Sequence, residues 1–325
     1  MINFCTLFDS NYLHFGLALH ASLLKHCANF HLYIFAFDRK CEDFLRKLVL
    51  KNVTIISLQE FEDEKLLAIK SSRSKGEYCW TSTASTVLYV LKNFPVASCT
   101  YVDSDIFFFA DPKILLDEMG EKSVLITSHR YSPEWDQSAI SGKYCVQFMC
   151  FKNNEDGLRA LNWWRERCIE WCYNKHEDGK FGDQKYLDDW LTRFNGVHEL
   201  KHLGGGVAPW NVSQYNFLSK NDAVIGVEKN SGAEFSLVFY HFHGFKLLNR
   251  SSIQLAPKEY KISADVVENI YQNYLLAIES AIKVVDNASD FLNEVRGKNC
   301  NWWQKLRLLI LPMKKNIRLR NGLHN

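Results

Sequence analysis

No stretch of this 325-residue chain approaches the roughly 20 consecutive apolar residues of a membrane-spanning helix. Proline is scarce, six residues in all, and none marks an interdomain linker. No internal repeat and no low-complexity tract is visible. Net charge is small: 39 Lys and Arg against 37 Asp and Glu give +2, which excludes a protein built as a whole to coat nucleic acid. The one glycine cluster, Gly204–Gly206, lacks the spacing of a P-loop or a dinucleotide fingerprint. Ten cysteines are present without a disulfide or zinc pattern. Cys168 and Cys172 have helical i,i+4 spacing and no second pair, so free thiols in a cytosolic protein are expected. Met1–Asp9 has no basic stretch and Asp9 interrupts its apolar run, so it does not read as a signal peptide.

What is there suits a large core: 47% hydrophobic and 14% aromatic residues. Short apolar runs alternate with helical patterns. Strands are expected at 2–7, 30–37, 53–57, 98–102, 144–151 and 236–241, and helices at 12–25, 42–51, 82–93, 156–173 and 181–194. This is an α/β pattern with a mainly parallel sheet and crossover helices. Residues 1–258 are expected to form the main domain and 259–325 a C-terminal helical region. In such sheets ligands bind beyond the carboxyl ends of the strands, which directs attention to the ends of the first strand and of 98–102.

Four motifs can carry chemistry. Asp103-Ser104-Asp105 follows a buried strand and precedes another apolar run. Two carboxylates there are a solvated turn or a pair of hard oxygen ligands for a divalent cation. His241-Phe242-His243-Gly244, with Lys246, ends the last strand; either imidazole can complete an oxygen-rich metal site, and Lys246 can pair with phosphate. Asp183-Gln184 opens a predicted helix, as an N-terminal cap or as groups that hold sugar hydroxyls. Leu203–Asn211 reads as a tight turn in which Trp210 and Asn211 suit sugar binding or packing.

In this order the motifs resemble the GT-A nucleotide-sugar glycosyltransferases, and most of all the family 8-like retaining enzymes, over about residues 1–250. Thr6-Leu7-Phe8-Asp9-Ser10-Asn11-Tyr12 is similar to the family's first strand and nucleotide-binding turn. Asp103-Ser104-Asp105 is similar to its DxD motif. Asp183-Gln184 with Leu187 is similar to its sugar-site element, and His241-Phe242-His243-Gly244 to its His-x-x-Gly element. The runs 77–81 and 181–190 also resemble a subgroup of bacterial transferases found with surface-polysaccharide genes. The resemblance implies a GT-A, Rossmann-like fold and Mn²⁺ or Mg²⁺ held by Asp103, Asp105 and His241. It implies a UDP-sugar donor contacted by Thr6, Leu7, Asn11, Tyr12, Asp103, Ser104, Gly244 and Lys246. Asp183 and Gln184 would orient the sugar for transfer to a glycan or lipid-linked acceptor, with no protein nucleophile assigned. Three features depart from the family. Cys145-Val146-Gln147 stands where Asn-Ala-Gly is usual. The customary basic residue before the metal motif is missing, with Arg73 or Lys75 as substitutes from a loop. Lys246 falls one position early. These departures motivate an alternative, a catalytically inactive sugar- or nucleotide-binding module. A nucleotidyltransferase ranks lower, because the Thr6–Tyr12 turn has neither glycine nor a basic residue.

The charge average conceals a gradient. Asn301–Asn325 holds six Lys or Arg and no acid, interleaved with Trp302, Trp303, Leu306, Leu308, Leu309, Ile310 and Leu311, so the first 300 residues carry −4. Such a segment suits an anionic membrane surface. The expectation is a cytoplasmic protein, peripheral on the inner face of the plasma membrane.

Overall fold

β1 (Ile2–Phe8) sends Cys5 and Leu7 into one core and Phe4 and Phe8 into another, as a strand covered on both faces must. It pairs in parallel with β2 (Phe30–Ala36), and β2 with β3 (Val53–Ser57). Helices Leu13–His26 and Arg39–Leu48 make the crossovers. The chain then returns through helix Lys75–Asn93 to β4 (Ser98–Val102), which pairs with the free side of β1. β5 (Ile106–Phe108) leaves this sheet. β6 (Val124–Ser128), β7 (Tyr144–Lys152) and β8 (Val197–Glu199) complete it in the order β3-β2-β1-β4-β7-β6-β8. β7 runs antiparallel to both its neighbours, and the other pairings are parallel. The direction of winding reverses between β1 and β4, the place where an open α/β sheet leaves a crevice. This computed structural model describes residues 1–249 and 252–287.

The remaining strands form smaller sheets outside this one. β9 (Tyr215–Lys220), β10 (Ala223–Glu228) and β11 (Glu234–Ser236) form an antiparallel sheet. β12 (Phe239–His241) pairs antiparallel with β5, and β13 (Lys246–Asn249) with β14 (Ser252–Gln254). The helical stretch Ala264–Asn287, with a π-turn at Val267–Tyr271, lies against helix Leu13–His26. Its Ile270, Tyr274 and Ile278 share a core with Phe15, Phe107 and Phe242. Phe242 and Tyr274 stack at 3.6 Å. The C-terminal helix is thus built into the same core as the strands that carry the site.

The observed elements differ from the expected ones where local hydrogen bonding outweighs hydrophobic period. Helix Lys75–Asn93 starts seven residues early because Ser74 and Glu77 form a capping box. The helix expected over 181–194 is instead a 3₁₀ turn, Lys185–Leu187, and one short helix, Trp190–Arg193. Gly182, at φ +51°, breaks its first turn. β6 and the β9–β10 hairpin were not anticipated. The nine cysteines among the described residues are all free. No helix of the described residues is long and apolar enough to cross a membrane. The basic segment Asn301–Asn325 lies outside them.

The turn Leu203–Trp210 is held from below by Arg130. Its guanidinium donates to the carbonyls of His202 (3.3 Å), Leu203 (3.2 Å) and Gly205. Lysine cannot supply that fork. Arg130→Lys is expected to lower stability by about 2 kcal/mol in urea titration. A change below about 0.5 kcal/mol would show that the guanidinium does not hold the turn.

Candidate active site

β4 ends at Val102, and the chain turns at once. Asp103 N–H donates to Gln147 O across the sheet (3.1 Å), and Ile106 N–H to Asp103 O (3.2 Å). Ser104 is buried in this turn. β5 then begins, and its partner β12 sets His241 opposite Ile106. Phe242 N–H donates to Asp105 O at 2.9 Å, while His241 N–H donates to Val207 O at 2.9 Å. Helix Leu13–His26 fixes this small sheet through Phe108 N–H to Ser22 Oγ, 3.1 Å. The result is a cluster of two carboxylates and one imidazole at the carboxyl end of β4. His241 Nε2 lies 3.1 Å from Asp105 Oδ1 and 3.7 Å from Asp103 Oδ2. One ligand atom from each of the three residues lies within 4.8 Å of the others.

The electrostatics follow from burial and closeness. Burial alone would lower the His241 pKa; Asp105, and then Asp103, overcome it and raise it well above the usual histidine range. Burial would likewise raise Asp105, but His241 holds it below the usual carboxylate range. Asp103 is raised, by burial first, with Asp105 adding to the effect against the pull of His241. Tyr101 donates to Asp103 Oδ1 at 2.8 Å. Two hard carboxylates with one borderline imidazole are the donor set of a Mg²⁺ or Mn²⁺ site, and the three groups fit such an ion.

The structure distributes the other sequence-derived residues around this cluster. Thr6 is fully buried near the end of β1, and its Oγ1 has no hydrogen-bond partner among the described residues. Leu7 packs in the core. Asn11 is tied to Asp9 through Nδ2–H (3.0 Å), and Tyr12 is half exposed, its phenol raised by burial and then by Asp105. His243 lies beyond the end of β12, in the turn, with its ring 5.8 Å from that of His241. It packs on Trp210 at 5.4 Å and stays outside the cluster. The space beside Gly244 is filled by Pro257, and Lys246 is exposed at the start of β13. Arg73 is occupied by Tyr173 and the Ile169 carbonyl. Asn211 is buried and structural, donating to the carbonyls of His129 and Gly206.

Asp183 does not cap a helix. It is buried close enough to Asp103 to feel that carboxylate's charge, and its own carbonyl accepts from Trp164 Nε1 (2.8 Å). Gln184 donates to Ser141 O (2.6 Å) and so holds the loop before β7. The sequence reading missed the contact that Gln147 makes: its Oε1 accepts from His241 Nδ1 at 2.9 Å. The only signal was the alternation of Cys145 and Gln147 on one strand.

No family model matches the chain. The apo structure of the bifunctional glycosyltransferase WbbM is similar at TM-score 0.51 and 13% identity, over 88% of this chain and 51% of WbbM, so the chain spans about half of that protein. The galactosyltransferase LgtC, solved with donor and acceptor sugar analogs, aligns over 93% of this chain at TM-score 0.44 and 10% identity. The chain has the GT-A glycosyltransferase fold. By sequence it is 32% identical over 272 residues to the uncharacterized protein YfnD of Bacillus subtilis strain 168, covering 82% of this chain and 85% of YfnD. It is 30% identical over 291 residues to YfnF of the same organism, covering 87% of this chain and 94% of YfnF. The chain belongs to the family of YfnD and YfnF.

Burial, and then the charge of Asp103, push the Asp183 pKa up to about 8. The folded state therefore binds a proton that the unfolded chain releases near pH 4, and stability falls as pH rises from about 4 to about 8. Asp183→Asn removes this dependence. In metal-free protein its advantage over the parent should grow across that window, approaching about 5 kcal/mol above pH 8. Parallel melting curves of the two proteins from pH 4 to pH 9 would refute the assignment.

Proposed function

We propose that this chain is a metal-dependent glycosyltransferase of hexosyl type. It moves a sugar from a nucleoside diphosphate sugar, a UDP-sugar, to a glycan or lipid-linked acceptor, with retention of configuration, in bacterial surface-polysaccharide synthesis. The observation that carries the reading is the Asp103–Asp105–His241 cluster at the winding switch between β1 and β4 of a GT-A fold. A bound Mn²⁺ or Mg²⁺ would neutralise the diphosphate as it leaves. Asp103, Asp105 and His241 would hold it. Tyr12, half exposed beside the cluster, offers a face for the base, and Thr6 an unpartnered hydroxyl. Asp183, buried beside the cluster, orients the sugar, and Gln184 acts there through the loop it anchors.

The alternative, an inactive binding module, was motivated by the Cys145–Gln147 departure. That motive weakens, because Gln147 contacts the histidine of the cluster. The basic segment Asn301–Asn325 supports attachment to the anionic inner face of the plasma membrane, beside a lipid-linked acceptor.

The test is release of UDP from a panel of UDP-sugars with Mn²⁺. Asp105→Ala is expected to lower the rate by about 10²-fold or more, with chelator abolishing it. Binding of a nucleotide sugar with no turnover by the parent protein would favour the inactive module. An inverted anomeric configuration in the product, read by NMR, would remove retention from the reading.

A further inference from the structure

Gln147 touches both halves of the cluster. Its backbone carbonyl accepts from Asp103 N–H at 3.1 Å, and its side-chain Oε1 accepts from His241 Nδ1 at 2.9 Å. The residue is fully buried in β7, so neither contact is shared with bulk water. Its Nε2 has no hydrogen-bond partner among the described residues. The amide has room because Gly206 stands beside it. A Cβ there would lie 3.2 Å from Gln147 Nε2 and 2.7 Å from Thr127 Cγ2, and the backbone at φ +86° disfavours any side chain. Arg130 fixes the turn that places Gly206, and Val207 in the same turn accepts the His241 backbone N–H.

We propose that Gln147 is the positioning residue of the metal site: by accepting the Nδ1 proton of His241 it fixes the ring's orientation and tautomer, so that Nε2 is the nitrogen presented beside Asp103 and Asp105. Without a metal the ring carries a proton on each nitrogen, and Nε2 faces Asp105 at 3.1 Å; in the neutral ring with its proton kept on Nδ1, the lone pair lies on Nε2. Histidine ligands elsewhere are held in the same manner by an acceptor on the opposite nitrogen. The inference rests on the metal reading of the cluster. It also accounts for the Cys145-Val146-Gln147 run, since this strand supplies an outer support to the metal ligand.

The experiment measures Mn²⁺ binding to the full chain by calorimetry without donor, alongside the His241 Nδ1–H resonance in metal-free protein. Gln147→Met keeps length and removes the acceptor. It is expected to bind Mn²⁺ 10- to 100-fold more weakly and to lose that resonance. Gln147→Glu keeps an oxygen in place and is expected to retain at least the parent affinity. Equal affinity in a folded Gln147→Met protein, or lost affinity in a folded Gln147→Glu protein, overturns the role of Gln147 while Asp105→Ala still abolishes binding. A parent protein that binds no Mn²⁺ overturns the metal reading, and this inference with it.

Discussion

The approach of His241 to Asp103 and Asp105 is the constraint around which the rest of this structure is arranged. Two carboxylates at the end of a buried strand repel each other and lose hydration, and neither effect is tolerated in a core without a compensating charge. The imidazole at 3.1 Å from Asp105 supplies it. The same arrangement keeps hard oxygens and one nitrogen converging on a single point. Stability of the protein alone and affinity for a divalent ion are therefore served by the same geometry.

Holding that geometry requires support from several directions. β5 and β12 set His241 opposite Ile106, helix Leu13–His26 pins β5 through Ser22, and the Arg130-bound turn accepts the His241 backbone. The helix Gln272–Asn287 closes the outer side of this small sheet with Tyr274 against Phe242. None of these residues is chemically reactive in the site. They restrict where the three ligands can move, and side chains locked by packing place functional groups more narrowly than those on free loops. Gln147 extends the same logic to the ring itself, from the strand beside β4.

Much of this was legible in the sequence. The apolar runs at 2–7, 30–37, 53–57 and 98–102 are strands because a parallel sheet buries both faces, which leaves short continuous apolar stretches rather than an alternating period. Asp103 and Asp105 stood out because acids rarely interrupt such runs. The helix expected at 181–194 failed because Gly182 and the turn after it defeat an apolar period that is otherwise helical. Asp183 was open between cap and ligand. It is neither exposed nor capping, a distinction that depends on what packs above it.

Sequence by itself determined the alternation of strands and helices, the carboxylate pair at the end of β4, and the chemistry open to it, since residue type and local period are properties of contiguous chain. It could not decide between His241 and His243, two residues apart, because the choice depends on where β12 stops pairing with β5, more than 130 residues away. It could not assign Gln147, whose partner lies 94 positions along the chain. Those outcomes are set by contacts between distant segments, and only folding brings such segments within hydrogen-bond reach.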